Sequence, residues 1–300
     1  FDSVEPVSRN TEAFPADGVT DEITAADCSR RSLLTLAATG LLLDIVGAEQ
    51  ALAAAPGSSD AVTSALEKAF KETLPPTKAA AVLRLVFHDS GTYDVGTNTG
   101  GANASVRFEL DRPENTRLSR GYTPVRKAKE LLVGTPAEGL STADLIAWAG
   151  AYAVRITGGP TIDVPFGRVD ADAADPEGRL PAETATPLEL KQNFEARGLT
   201  TQEFVVLSGA HTIGGKGFGE PLAFDNTYFQ TLIKKPWENP TGDKYEREMA
   251  QMIGLPSDKA LPLDDECLKW IEVYAADGDA FFRDFSTAYL KLTKLGTQLA

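Results

Sequence analysis

From Ser58 to the end of the chain, apolar residues return at helical spacing and nowhere alternate over a comparable length, which restricts the chain to a mainly α fold. Ala61-Val62, Ala65-Leu66, Ala69-Phe70 and Leu74 trace one helical face. A second face follows Pro75-Pro76 through Ala80, Leu83 and Phe87, with the paired prolines starting that helix. The spacing predicts further helices over Tyr122 to Val133, Ser141 to Thr157, Pro187 to Arg197, Thr200 to Ile213, Asp225 to Ile233, Asp264 to Ala276 and Asp279 to Leu295. Ser141-Thr142-Ala143-Asp144 has the capping-box spacing with Asp in the acidic position, and Thr200-Thr201-Gln202-Glu203 matches the box fully. The stretch from Gly158-Gly159-Pro160 to Pro181 predicts one long ordered loop, and no internal repeat is present.

Of the 300 residues, 42% are hydrophobic and 24% charged, enough apolar content for one large domain or two modest lobes. A formal net charge of -14 opposes binding to nucleic acid or to anionic lipid, whose own charge would be repelled. A small neutral substrate fits better. The two cysteines, Cys28 and Cys267, cannot form a disulfide framework and lack the spacing of a zinc site, so Cys267 reads as a buried or idle thiol.

Residues 1–55 differ from the rest. Phe1 to Asp27 has no periodicity, and Ser29-Arg30-Arg31-Ser32 then precedes the apolar run Leu33 to Leu43 and the small-residue segment Ala51 to Ala55. Residues 29–55 resemble a twin-arginine export signal, and an ordinary amphipathic helix packed on the domain is the competing reading. The run's 11 residues are too few to span a bilayer, which takes about 20, so no stable membrane span is expected and the functional domain is set at 56–300.

The chain holds only two histidines. In Arg84-Leu85-Val86-Phe87-His88, residues four apart share a helix face, so a guanidinium and an imidazole enter one pocket with Phe87 beside them. A hydrogen-bonded core histidine competes with a catalytic one at this point. In Leu207-Ser208-Gly209-Ala210-His211-Thr212-Ile213-Gly214-Gly215, the second histidine ends a capped apolar helix, a position suited to a single metal ligand. A phosphate loop over Gly209 to Lys216 fails, because the Walker spacing puts Lys and then Ser/Thr directly after the second Gly.

Taken together, the two motifs resemble those of the plant, fungal and bacterial haem peroxidase superfamily, on its ascorbate peroxidase side and nearest the ascorbate peroxidase-related proteins of plants and algae. Arg84, Phe87 and His88, with Asp89 to Asp94 and Gly100 to Asn103, match the distal signature, and Leu207 to Gly214 match the proximal one. Gly158-Gly159-Pro160, Gly167-Arg168, Pro176 to Pro181, Phe224-Asp225-Asn226 and Leu255 to Leu261 extend the likeness over roughly Ser58 to Gly296. The resemblance implies a two-lobed helical fold with haem b between a distal lobe (about 56–197) and a proximal lobe (about 198–300). It further implies that His211 ligates the haem iron, that Asp258 accepts the hydrogen bond from the other ring nitrogen, and that Phe87 lines the haem pocket. His88 and Arg84 would then cleave hydrogen peroxide, with Asn115 orienting His88. Thr212 and Asp225 match two ligands of a site for one monovalent or divalent cation, although a helix-end hydroxyl and an N-cap account for them equally.

Two departures bear on the reductant. Phe87 replaces the usual distal tryptophan, and the segment from His211 to Asp225 is about ten residues shorter than in typical ascorbate enzymes. It contains no tryptophan; Trp148, Trp237 and Trp270 lie in other blocks and read as core or surface aromatics. It also lacks the arginine that holds ascorbate, Lys216 being its only basic residue and Glu220 repelling an anion. A peroxidase that reduces hydrogen peroxide with a small organic reductant, phenolic or otherwise neutral, is therefore expected, in the chloroplast stroma or thylakoid lumen and active in the oxidative stress response. The alternative expectation is a non-catalytic peroxidase fold that serves as a binding or scaffold protein in the chloroplast.

Overall fold

The structure is a computed structural model that describes residues 56–299; the targeting segment 1–55 and Cys28 lie outside the described residues. In chain order the helices are α1 (Pro56–Thr73), α2 (Ala79–Ser90), α3 (Ser119–Leu131), α4 (Thr142–Ile156), α5 (Pro187–Glu195) and α6 (Thr201–Ser208). They continue with α7 (Thr227–Lys234), α8 (Lys244–Gln251), α9 (Pro256–Ala260), α10 (Asp265–Ala276) and α11 (Gly278–Leu292). Among the described residues the only β pairing is one isolated bridge, Asp94 with Thr99, so the chain is mainly α. No described helix is long and apolar enough to cross a membrane.

Helix α4 is buried from Thr142 to Val154, as a helix apolar on all sides must be. It packs on α2, and α1 and α3 complete that group. Gly150 makes the α2–α4 approach feasible: a Cβ there would lie 2.6 Å from Val86 Cγ2 and 2.1 Å from the Tyr289 hydroxyl oxygen. A second group joins α6, α7, α10 and α11 around stacked and edge-on rings of Phe224, Phe229, Phe281 and Phe285. Cys267 is buried here, and desolvation followed by the charge of Asp264 pushes its thiol up to about 12.

The expected helices are present, with four differences. Pro76 begins a short 3-10 turn, Pro76–Lys78, that leads into α2 rather than starting it. The helix expected to run to Ile213 ends at Ser208 and tightens into a 3-10 turn, Gly209–Thr212. There Gly209 lies so close to Phe281 that a Cβ would meet its ring at 2.5 Å. Ser141 Oγ accepts the Asp144 N–H at 3.0 Å, but Asp144 does not return the bond. Its carboxylate instead accepts from the N–H groups of Gly167 (2.9 Å) and Arg168 (3.1 Å) and pairs with Arg168 Nη1 at 2.9 Å. This buried pair ties the long loop to α4, and Arg168 Nε, donating to Thr293 O at 2.7 Å, ties it to the end of α11. Finally, α8 and α9 were not expected, although Asp243 and Glu246 form a complete capping box at the start of α8.

Candidate active site

Helix α2 carries Arg84, Phe87 and His88 toward the loop between residues 105 and 116. His88 is buried, and its Nδ1 lies 2.6 Å from Asn115 Oδ1. The amide orientation is fixed independently, because Asn115 Nδ2 donates to Glu109 O at 2.9 Å. Oδ1 must therefore accept, so Nδ1 carries the proton and Nε2 keeps its lone pair. Desolvation, then the nearby Arg84 cation, lowers the His88 pKa to about 4. The imidazole is a neutral base throughout the physiological range.

Arg84 shares this face but is not loose in it. Its Nη1 donates to Thr116 O at 2.8 Å and its Nη2 to Glu114 O at 2.7 Å, so it clamps the backbone on both sides of Asn115. Two of five N–H donors are used. Burial lowers its pKa, opposed by the charge of Glu183. Phe87 stacks on Phe194 of α5 at 5.8 Å and meets the His88 ring edge-on at 6.0 Å, which walls one side of the imidazole.

On the other group of helices, His211 sits in the 3-10 turn after α6, with its Nδ1 2.8 Å from Asp258 Oδ1. Asp258 is set by its place in the first turn of α9, where Leu255 N–H donates to Oδ2 at 2.8 Å, and by Tyr228 of α7, whose hydroxyl donates to Oδ1 at 2.9 Å. Desolvation alone would lower the His211 pKa, but the charge of Asp258 and the hydrogen bond to it outweigh burial, and the net direction is up. The Asp258 side chain is 3% exposed whereas that of His211 is 40% exposed. One edge of the ring is locked in protein and the other is open. The elements bearing the two histidines touch, and Gly214 comes close enough to Ala80, four residues before Arg84, that a Cβ would lie 2.9 Å from Ala80 Cβ.

Each imidazole thus has Nδ1 held by protein, and among the described residues neither Nε2 has a hydrogen-bond partner. One imidazole backed by a carboxylate and one neutral base beside a guanidinium form a donor set that suits a haem iron with one protein ligand.

Thr212 and Asp225 are joined to each other: the Thr212 hydroxyl donates to Asp225 Oδ1 at 2.9 Å, and the same oxygen accepts the Thr227 N–H at 2.9 Å. This geometry realises the local role, a hydroxyl and an acid closing the start of α7. Among the described residues no group of three His, Cys, Asp or Glu side chains is arranged to hold a metal ion.

Several supporting residues were given no role of their own from the sequence. Tyr228 fixes Asp258, and Phe218, in the shortened loop, packs edge-on against Tyr228 at 4.7 Å. Behind His88, Asp89 accepts the N–H groups of Ala104 and Val106, and Glu109 accepts the N–H of Asp175. Burial pushes the Asp89 carboxyl up to about 8 despite those bonds. A charged residue inside the apolar run around His88 was the available signal for Asp89; nothing local marked Tyr228.

The family model described as Peroxidase matches residues 62–277. Putative L-ascorbate peroxidase 6 of Arabidopsis thaliana is 44% identical over 270 residues, covering 90% of this chain and 78% of that protein. L-ascorbate peroxidase 2, cytosolic, of Arabidopsis thaliana is 40% identical over 230 residues, covering 73% of this chain and 85% of that protein. Probable L-ascorbate peroxidase 4, peroxisomal, of Oryza sativa subsp. japonica is 37% identical over 230 residues, covering 73% of each.

Proposed function

The chain belongs to the plant haem peroxidase superfamily, among the ascorbate peroxidase-related proteins, and from that premise we propose that it is an active haem b enzyme that reduces hydrogen peroxide to water with a small neutral reductant. The observation that carries this reading is the pair of imidazoles, each fixed at Nδ1 and open at Nε2. Haem supplies the iron at which the O–O bond breaks and through which electrons from the donor pass. His211 Nε2 would hold that iron, because Asp258 keeps the proton on Nδ1. Phe87, stacked on Phe194 and edge-on to His88, would wall the haem pocket on the His88 side. His88 Nε2 takes the proton from the near oxygen of peroxide and returns it to the departing oxygen, which leaves as water. Asn115 keeps Nε2 available by holding the proton on Nδ1. Arg84 stabilises the negative charge that builds on the departing oxygen. Its clamp on the backbone around Asn115 couples the charge to the base. Thr212 and Asp225 retain oxygen lone pairs for a monovalent or divalent cation, a secondary feature that the chemistry above does not require.

The relatives' names carry ascorbate, but the charges at this site favour a neutral donor. Lys216 and Glu183 act on His211 with opposite sign, so Lys216 does not stand there as an uncompensated cation to hold an anionic donor. Reconstitution with haem tests the whole reading: a Soret band that shifts on adding peroxide, and a higher kcat/KM for an uncharged phenol than for ascorbate, are expected. A folded protein that refuses haem would establish the non-catalytic scaffold instead, and an enzyme that prefers ascorbate would overturn the donor assignment alone. We also propose that residues 1–55 direct the chain to the chloroplast stroma or thylakoid lumen. A fusion of this segment to a fluorescent protein that stays in the cytosol would contradict that.

A further inference from the structure

Away from the two histidines, α1, α4 and the segment 161–166 border a solvent-open cavity of about 260 Å³. Trp148, Tyr152 and Arg155 fall at i, i+4 and i+7 on α4 and share one face, opposite Thr63 and Glu67 of α1. The Trp148 and Tyr152 rings stack at 5.4 Å, and Phe70 backs Trp148 at 5.2 Å. Both residues are more than nine-tenths buried, Trp148 at 9% exposure and Tyr152 at 7%. Among the described residues neither the indole N–H nor the phenol O–H donates to a protein group, and neither atom is sealed from solvent, so both are available to a molecule in the cavity. A space of this size holds about eight waters or a single-ring molecule. Apolar walls from Ala151, Ile162 and Val164 favour the ring.

Charge narrows the class further. Arg155 is already bound to Glu67, and its guanidinium lies 5.2 Å over the Tyr152 ring. Asp163, also lining the cavity, has no cationic partner among the described residues. The local balance is one net negative charge, which opposes an anionic ligand.

We propose that this cavity binds a small uncharged phenol or aromatic alcohol, its ring against the Trp148–Tyr152 stack and its hydroxyls paired with the indole N–H and the Tyr152 O–H. The site is separate from the haem chemistry and does not depend on it. Equilibrium dialysis of the haem-loaded full chain against 4-hydroxybenzyl alcohol, without peroxide and with cyanide blocking the iron, tests this. One equivalent is expected to bind, and His211→Ala is expected to bind equally well. Thr63→Phe, which plugs the mouth from an exposed position, should weaken binding about tenfold, and Tyr152→Phe, which keeps the ring and loses the hydroxyl, about fivefold. 4-Hydroxybenzoate should bind about tenfold more weakly than the alcohol and recover in Asp163→Asn. Absence of saturable binding up to about 10 mM would overturn the proposal by leaving the cavity to water. Binding that survives Thr63→Phe and Tyr152→Phe but is lost in His211→Ala would overturn it by placing the phenol at the haem.

Discussion

His88 and His211 present the same side chain held by the same ring nitrogen, and their surroundings drive the two in opposite directions. The partner of His88 is a neutral amide whose other end is tied to a backbone carbonyl, and burial takes the imidazole down to about 4. The partner of His211 is a buried carboxylate fixed by a backbone N–H and a tyrosine, and the pKa goes up. An amide fixes the tautomer without adding charge, which makes a base that stays neutral. A carboxylate draws the Nδ1 proton toward itself and makes Nε2 a stronger donor to a metal. Under the proposed function, one half of the site would move a proton and the other would hold an ion.

Removing each imbalance in turn separates the halves. The largest effect is expected from His211→Ala, which should abolish the Soret band on haem reconstitution, whereas His88→Ala should keep it. In that second variant the rate of reaction with peroxide should fall by roughly 10²–10⁴, the range general acid–base catalysis supplies, when followed by stopped-flow absorbance. Asp258→Asn gives the proximal histidine a distal-type partner and should weaken haem affinity about 10–100-fold in a haem-transfer assay. The reciprocal exchange, Asn115→Asp, places a carboxylate against His88 and should raise its pKa, so that the peroxide reaction loses rate as pH falls through a higher value than in the parent protein. Tyr228→Phe removes one of three bonds to Asp258 and should weaken haem affinity by less than Asp258→Asn does.

The helical class and most helices were legible because amphipathic spacing is a local property, and the paired motifs were legible because Arg84 and His88 sit one helical turn apart. The end of α6 was not, since it is set by Gly209 meeting Phe281 from a helix some seventy residues further on. The same holds for Asp144, whose side chain leaves its expected capping role for Arg168 because that pair is buried and the loop must be anchored. The partnership of His211 with Asp258 came from a resemblance; no spacing rule joins residues 47 apart, and only the docking of α9 brings them together. Likewise the face of Trp148 and Tyr152 reads as plain core in sequence, because a cavity between three segments has no local signature.

The pH dependence of the peroxide reaction in the haem-loaded protein tests the central contrast most directly. If the amide-held histidine is the base, the second-order rate constant is level from neutral pH downward and falls only as pH drops through about 4. A fall centred near 6.5, the value of an ordinary imidazole, would contradict the account.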